Sequence, residues 1–158
     1  MPEVNAYIEQ GNRVLGILGY TEHSRGHAVK VAKTAGEILE KLGYNEHTVE
    51  LAQIAGYMHD MGNCVNRVDH AHSSALMAFQ LREWKFPDED IAAIVSAIGQ
   101  HDEQTGTAVD AVSAALILAD KTDVRRNRVR NPIKENFDMH DRVNYAAVAS
   151  SLQVNVEK

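Results

Sequence analysis

Six side chains in this sequence have the types and the spacing to share a cation: His27, the adjacent pair His59-Asp60, His70, His101 and Asp120. All but Asp60, which adjoins His59, lie on an apolar stripe of helical period. His27 stands four residues before Val31, His59 four after Ala55, and Asp120 four after Leu116. His70 precedes Met77 by seven, and His101 continues the face of Ile94 and Ile98. Residues three, four and seven apart share one side of a helix, so five helices each aim a His or Asp inward near an end. Burying one such group unpaired is costly. Several that share a cation resolve the cost, and the interiors of helical bundles host such sites. Eight histidines in 158 residues is a surplus that metal binding accounts for. His23, His47 and His140 fall off these stripes and fit surface or capping positions.

The elements that must position these groups are helices. Ala28 to Leu42 repeats Val31, Ala35, Ile38 and Leu42 at the helical period, and Gly43 follows as a stop. Asn45 suits the cap of a second helix, with Leu51, Ala52 and Ala55 inward. A third carries His70, Ser74, Met77 and Leu81 and ends before Pro87. Asp88 opens a fourth through Ile91, Ile94, Val95 and Ile98, and Val109, Val112 and Leu116 mark a fifth. A last helix is expected over about 141–150. The fold class is therefore all-α, a bundle of six to seven helices forming one domain over residues 1–152. In the tail 153–158, Val154-Asn155-Val156 alternates like the start of a strand in a longer protein.

Composition narrows the function classes. At 44% hydrophobic and 24% charged the chain is an ordinary globular one, long enough for one core. Sixteen basic against 22 acidic residues give a formal charge of −6, which disfavours broad nucleic-acid or membrane-surface binding. No stretch approaches the ~18 apolar residues of a membrane span, and no secretory leader is seen, so a cytoplasmic location is expected. The single cysteine, Cys64, excludes an intrachain disulfide and reads as structural.

The order His27, His59-Asp60, then Asp120 within Leu118-Ala119-Asp120-Lys121 resembles the HD superfamily of metal-dependent phosphohydrolases. Gly56-Tyr57-Met58-His59-Asp60-Met61-Gly62-Asn63 is similar to its signature, and the resemblance runs from about Arg25 to Asp123. It implies an HD-domain helical bundle in which His27, His59, Asp60 and Asp120 hold a first metal. Two further histidines, as in the two-metal branches, match His70 and His101, with Asp60 bridging both ions. His72 is the alternative to His70, which is preferred because Ser74 and Ala75 follow at the spacing the family wants. The set is similar to the bacterial diadenosine tetraphosphate hydrolases of the superfamily, whose last motif also reads Ala-Asp-Lys.

The implied cofactor is one or two divalent transition metal ions, iron, manganese, zinc or nickel, which mixed His and carboxylate ligation suits better than magnesium. The implied chemistry is hydrolysis of a small phosphorylated substrate by metal-activated water. In an otherwise acidic chain the run Lys121 to Lys134 is basic, and Lys121, Arg125 and Arg126 are the expected substrate contacts. Asp60 and Lys121 are the candidate catalytic groups, joined by Asp102 as a group that orients a ligand or carries a proton. Arg128 and Arg130 read equally well as phosphate contacts or as a solvated basic turn. Two other readings share the ligand order: a mixed-valent di-iron oxygenase, and a non-catalytic metal-stabilised signalling module. A homodimer is compatible with all three.

Overall fold

Local capping sets where the helices begin. In this computed structural model, which describes residues 2–157, Ser24 caps α2 (Arg25–Lys41) by accepting from the Gly26 backbone N–H, and Asn45 caps α3 (Glu46–Met58) through Thr48. Asp88, Glu89 and Asp90 place negative charge in the first turn of α5 (Asp88–Gly99), where the helix dipole favours it. Reciprocal bonds between Asp110 and Ser113 start α6 (Ala111–Thr122), two residues later than the apolar stripe at Val109 suggests. The same device, Asp138 with Asp141, starts α7 (Met139–Ala146). It shifts the expected 141–150 helix toward the N-terminus, and the chain turns extended at Ala147.

Two further helices complete the bundle: α1 (Pro2–Ile17), which the sequence reading did not delimit, and α4 (His70–Ala78), which tightens into 3₁₀ turns over Phe79–Trp84. Among the described residues there are seven α-helices and no strand. Val154 is no strand residue: it and Leu152 lie half-buried against the core.

The centre of the bundle is α2 packed on α3 and α6, with α5 closing against α3 and α4. Its core is Val31, Ala35, Ile38, Leu39, Ala52, Ala55, Ile94, Ile98, Leu116 and their neighbours. Small residues bring α2 and α3 close together. A Cβ on Gly56 would sit 2.8 Å from the Ala32 Cα and 3.0 Å from its backbone nitrogen. This contact is backbone, and no rotamer change relieves it. Because α3 ends beside the middle of the bundle, the chain that leaves it delivers His59 and Asp60 into the interior.

The Gly56→Ala variant tests this packing by sign. At an open helical position the change stabilises by about 1 kcal/mol. Here it is expected to destabilise by about 1–3 kcal/mol through overpacking, read by denaturant unfolding. A variant as stable as the parent or more so removes the close approach.

Candidate metal centre

All six predicted ligands lie at helix ends that converge. His27 is in the first turn of α2, His59 caps the C-terminus of α3, and Asp60 opens the 3₁₀ turn Met61–Cys64. His70 is the first residue of α4, His101 follows α5, and Asp120 is in the last turn of α6. Residue Asp69, just before His70, takes the left-handed conformation (φ 56°), which Asp tolerates. His27 and His59 are fully buried, and Asp60, His70 and His101 nearly so.

The four histidines share one hydrogen-bonding scheme. The Nδ1–H of His59 donates to the Gly56 carbonyl (2.7 Å), that of His101 to Ile98 (2.7 Å), and that of His70 to Arg67 (3.1 Å). His27 donates through Nδ1 to Asp123 Oδ2 at 2.8 Å. Each acceptor is an oxygen, so the tautomer is set and the Nε2 atom is the one offered to the centre.

These Nε2 atoms face the two oxygens of Asp60. On the Oδ2 side, His59 Nε2 lies at 3.1 Å and His27 Nε2 at 3.4 Å. Asp120 Oδ1 completes the group, 3.3 Å from His27 Nε2 and 3.5 Å from His59 Nε2. On the Oδ1 side are His70 Nε2 at 3.5 Å and His101 Nε2 at 3.9 Å. Donors about 2.1 Å from one ion lie about 3.0–3.4 Å apart in octahedral or tetrahedral geometry, which the Oδ2 group matches. His27 Nε2, His59 Nε2 and Asp60 Oδ2 are buried without a hydrogen-bond partner in the protein. Such a set of unpartnered nitrogen and carboxylate atoms fits a cation. His27, His59 and Asp120 form one group able to hold an ion, and His59, Asp60 and His101 another.

The charge distribution divides the centre. Burial alone would depress both His27 and His59. For His27 the carboxylates of Asp120, Asp123 and Asp60 outweigh it and push the imidazole up to about 9. For His59 those of Asp60 and Asp120 push it up to about 10. Burial prevails at His101, aided by the charge of His59, and lowers it to about 4. It also lowers His70. At neutral pH the protein alone therefore holds protons on the first pair and leaves the second pair neutral.

Residues 25–145 match the HD domain family. This chain is an HD domain protein. It is 30% identical over 163 residues to the uncharacterized protein MJ1020 of Methanocaldococcus jannaschii, covering 87% of this chain and 62% of that protein. It is also 30% identical to ribonuclease Y of Fervidobacterium nodosum over 77% of this chain, and 34% identical to ribonuclease Y of Streptococcus pyogenes over 70%. The chain spans only 23% and 19% of those two ribonucleases. A crystal structure of a predicted HD superfamily hydrolase from an uncultured Thermotogales bacterium shares the fold. Its TM-score is 0.58 at 24% identity, over 78% of this chain and 67% of that one.

Around the HD pair lies a cavity of about 230 Å³. Lys121 and Asp102 line it, together with Glu103, Asp60, His70, His101 and Asp120. Lys121 pairs with Glu103 and stands 3.6 Å from Asp120 Oδ2. Asp102 Oδ2 lies 3.6 Å from His70 Nδ1. His72 is exposed on the far side of α4, whereas His70 faces the centre.

Two expected substrate contacts lie outside the cavity lining. Arg125 and Arg126 do not line the cavity. Arg125 is turned onto Asp123 through Nε and Nη2 (2.8 and 3.0 Å), and Arg126 lies over the Tyr145 ring and donates to its carbonyl. Nearby acceptors claim both guanidinium groups first. The arginines that do line the cavity are Arg67, held by Asn63 Oδ1 at 3.2 Å, and the buried Arg128.

His23 also lines the cavity, its side chain only 11% exposed, so it is not the surface residue its position before the α2 cap suggested. Asp123 is a further member. It receives His27, Lys30 and Arg125, and although burial would raise it, those bonds hold its carboxyl well below the usual range. Its spacing of three from Asp120 is the one signal in the sequence that could have marked it.

Two outcomes follow. At pH 7 uptake of a divalent ion must displace the protons on His27 and His59, so binding in weakly buffered solution should release up to two protons, and affinity should rise from pH 6 toward 9. Affinity that does not change over this range contradicts the charge assignment. The Asp123→Asn variant should bind zinc or manganese about 10–100-fold more weakly by calorimetry, and unchanged affinity would show that Asp123 does not orient His27.

Proposed function

We propose that this HD domain protein is a metal-dependent phosphohydrolase that cleaves a phosphate ester or phosphoanhydride of a nucleotide-like substrate. The observation that carries the reading is Asp60. Its two oxygens face two separate histidine pairs on the floor of a cavity that also holds Lys121, Arg67 and Arg128. Divalent transition metals held there would supply Lewis-acid activation of water and neutralise phosphate charge. His27, His59, Asp60 and Asp120 would hold the first ion, and His70 and His101, with Asp60 as bridge, the second.

The remaining residues divide the work on substrate. Lys121 Nζ has Glu103 and Asp120 as its carboxylate partners, and a phosphoryl oxygen entering between them would be a third acceptor. Arg67 and Arg128 add fixed positive charge to the cavity lining. Asp102 Oδ2, beside His70 Nδ1, can hold that ring and accept a proton at the cavity edge. Val124, with Met139 and Val143 of α7 one helical turn apart, adds apolar surface to the cavity lining. Met139 is 78% exposed, and an organic moiety such as a base would cover it. A cavity lined by both cationic and apolar side chains suits a nucleoside phosphate better than a bare phosphate. Diadenosine tetraphosphate belongs in that class, consistent with the resemblance of the ligand set.

The likeness to ribonucleases Y supports a second reading in which the bond cleaved is an RNA phosphodiester. Metal analysis beside a hydrolysis screen over nucleotides, dinucleoside polyphosphates and short RNAs separates the two. Oxygen uptake without hydrolysis would instead indicate di-iron oxygenase chemistry. The Asp60→Ala variant should lose metal and activity together, by more than the ~10–100-fold that loss of a supporting group costs. His101→Ala should keep about one ion per chain and lose hydrolysis, because one ion cannot stabilise both the attacking and the leaving oxygen. Stoichiometric metal in Asp60→Ala, or full activity in His101→Ala, contradicts these roles.

A further inference from the structure

The segment between α1 and α2 is held more firmly than a connection needs to be. Arg130 donates from Nε to the Tyr20 carbonyl (3.0 Å) and from Nη2 to that of Thr21 (3.0 Å). Arg128 Nε donates to the Glu22 carbonyl at 2.9 Å, and the Glu22 N–H returns a bond to the Arg128 carbonyl at 2.8 Å. The His23 N–H donates to Asn12 Oδ1 at 3.1 Å, and that oxygen also accepts from Arg130 Nη1 at 2.9 Å. Two arginines more than 100 residues away along the chain thus fix the backbone on both sides of His23. Neither belongs to a solvated turn.

The side chain so fixed repeats the scheme of the four central histidines. His23 Nδ1 lies 2.7 Å from the Thr21 carbonyl, an acceptor only, so Nδ1 carries the hydrogen and Nε2 is presented to the cavity. That Nε2 lies 3.9 Å from Asp60 Oδ2, the same separation as His101 Nε2 from Asp60 Oδ1. Its ring stands edge-on to His27 at 5.5 Å, as His27 does to His59 at 5.2 Å. Oδ2 is buried with no hydrogen-bond partner. Two acceptor atoms facing each other at this separation repel unless a cation or a donor lies between them.

We propose that His23 is a fifth imidazole of the centre, a ligand through Nε2 to the cation that Asp60 Oδ2 faces. This rests on the metal-centre reading. It extends that reading because the expected ligand sets for both ions are complete without His23.

The test uses Co²⁺ as the probe. Wild-type protein loaded with two equivalents should show five exchangeable imidazole N–H resonances shifted far out of the diamagnetic range by the paramagnetic ion, one of them from His23. The His23→Gln variant should show one fewer and bind Co²⁺ about 10–100-fold more weakly, while its metal-free thermal unfolding matches the parent. Four shifted resonances in the wild type overturn the proposal without recourse to any variant. So does a His23→Gln variant with unchanged spectrum and affinity, which would leave the other four histidines as the whole set. A wild-type protein that takes up no Co²⁺ overturns the metal-centre reading as well.

Discussion

Asp60 is a nearly buried carboxylate at the edge of the cavity, and imidazole nitrogens surround both of its oxygens. A buried charge of this kind persists only if its surroundings compensate it, and here the compensation shapes the fold around it. The chain leaves α3 at His59 and turns through Met61–Cys64 so tightly that α4 lies against it. A Cβ on Gly62 would stand 2.4 Å from the His70 carbonyl oxygen and 2.5 Å from the Ser74 nitrogen. The Gly62 N–H donates to Ser74 Oγ at 2.8 Å, and Asn63 Nδ2 bonds both the backbone oxygen and Oδ1 of Asp60. The turn therefore fixes the carboxylate and the start of α4 in one operation, and His70 comes with it. Asn63 also holds Arg67, so the charge at the cavity wall is positioned from the same turn.

Two electrical environments share that carboxylate. The side facing His27 and His59 gathers Asp120 and Asp123 and favours positive charge, while the side facing His70 and His101 is dominated by burial. An ion on the first side would compete with protons. An ion on the second would meet imidazoles that are already neutral. The two halves can thus differ in affinity and in pH response although one residue bridges them. Asp123 reinforces the difference, since it is the acceptor that holds His27 and is itself held charged by Lys30 and Arg125.

The ligand positions were legible because the centre lies inside the bundle. Five of the six lie on apolar stripes whose helical period points them to the core, and Asp60 follows His59 directly. The stripe says nothing about residues ahead of a helix, such as His23, which precedes the α2 cap. It also cannot rank neighbouring arginines. Arg125 and Arg126 lie closest in sequence to Asp120, yet acceptors at Asp123 and Tyr145 take them. Arg128 reaches the cavity because Glu22, 106 residues earlier, supplies its acceptor. The first helix, Pro2–Ile17, buries a stripe of Val4, Ile8, Gly11 and Leu15. That glycine is where α1 meets the HD turn, and a Cβ there would lie 3.0 Å from the Cys64 nitrogen.

The central claim is that Asp60 joins two cation sites. Diffraction from crystals grown with Mn²⁺ or Zn²⁺, recorded on either side of the metal's absorption edge, tests it most directly. The account predicts two anomalous peaks, one within bonding distance of His27, His59, Asp60 Oδ2 and Asp120, and one beside Asp60 Oδ1, His70 and His101. A single peak, or peaks that leave Asp60 without a bond to metal, would contradict it.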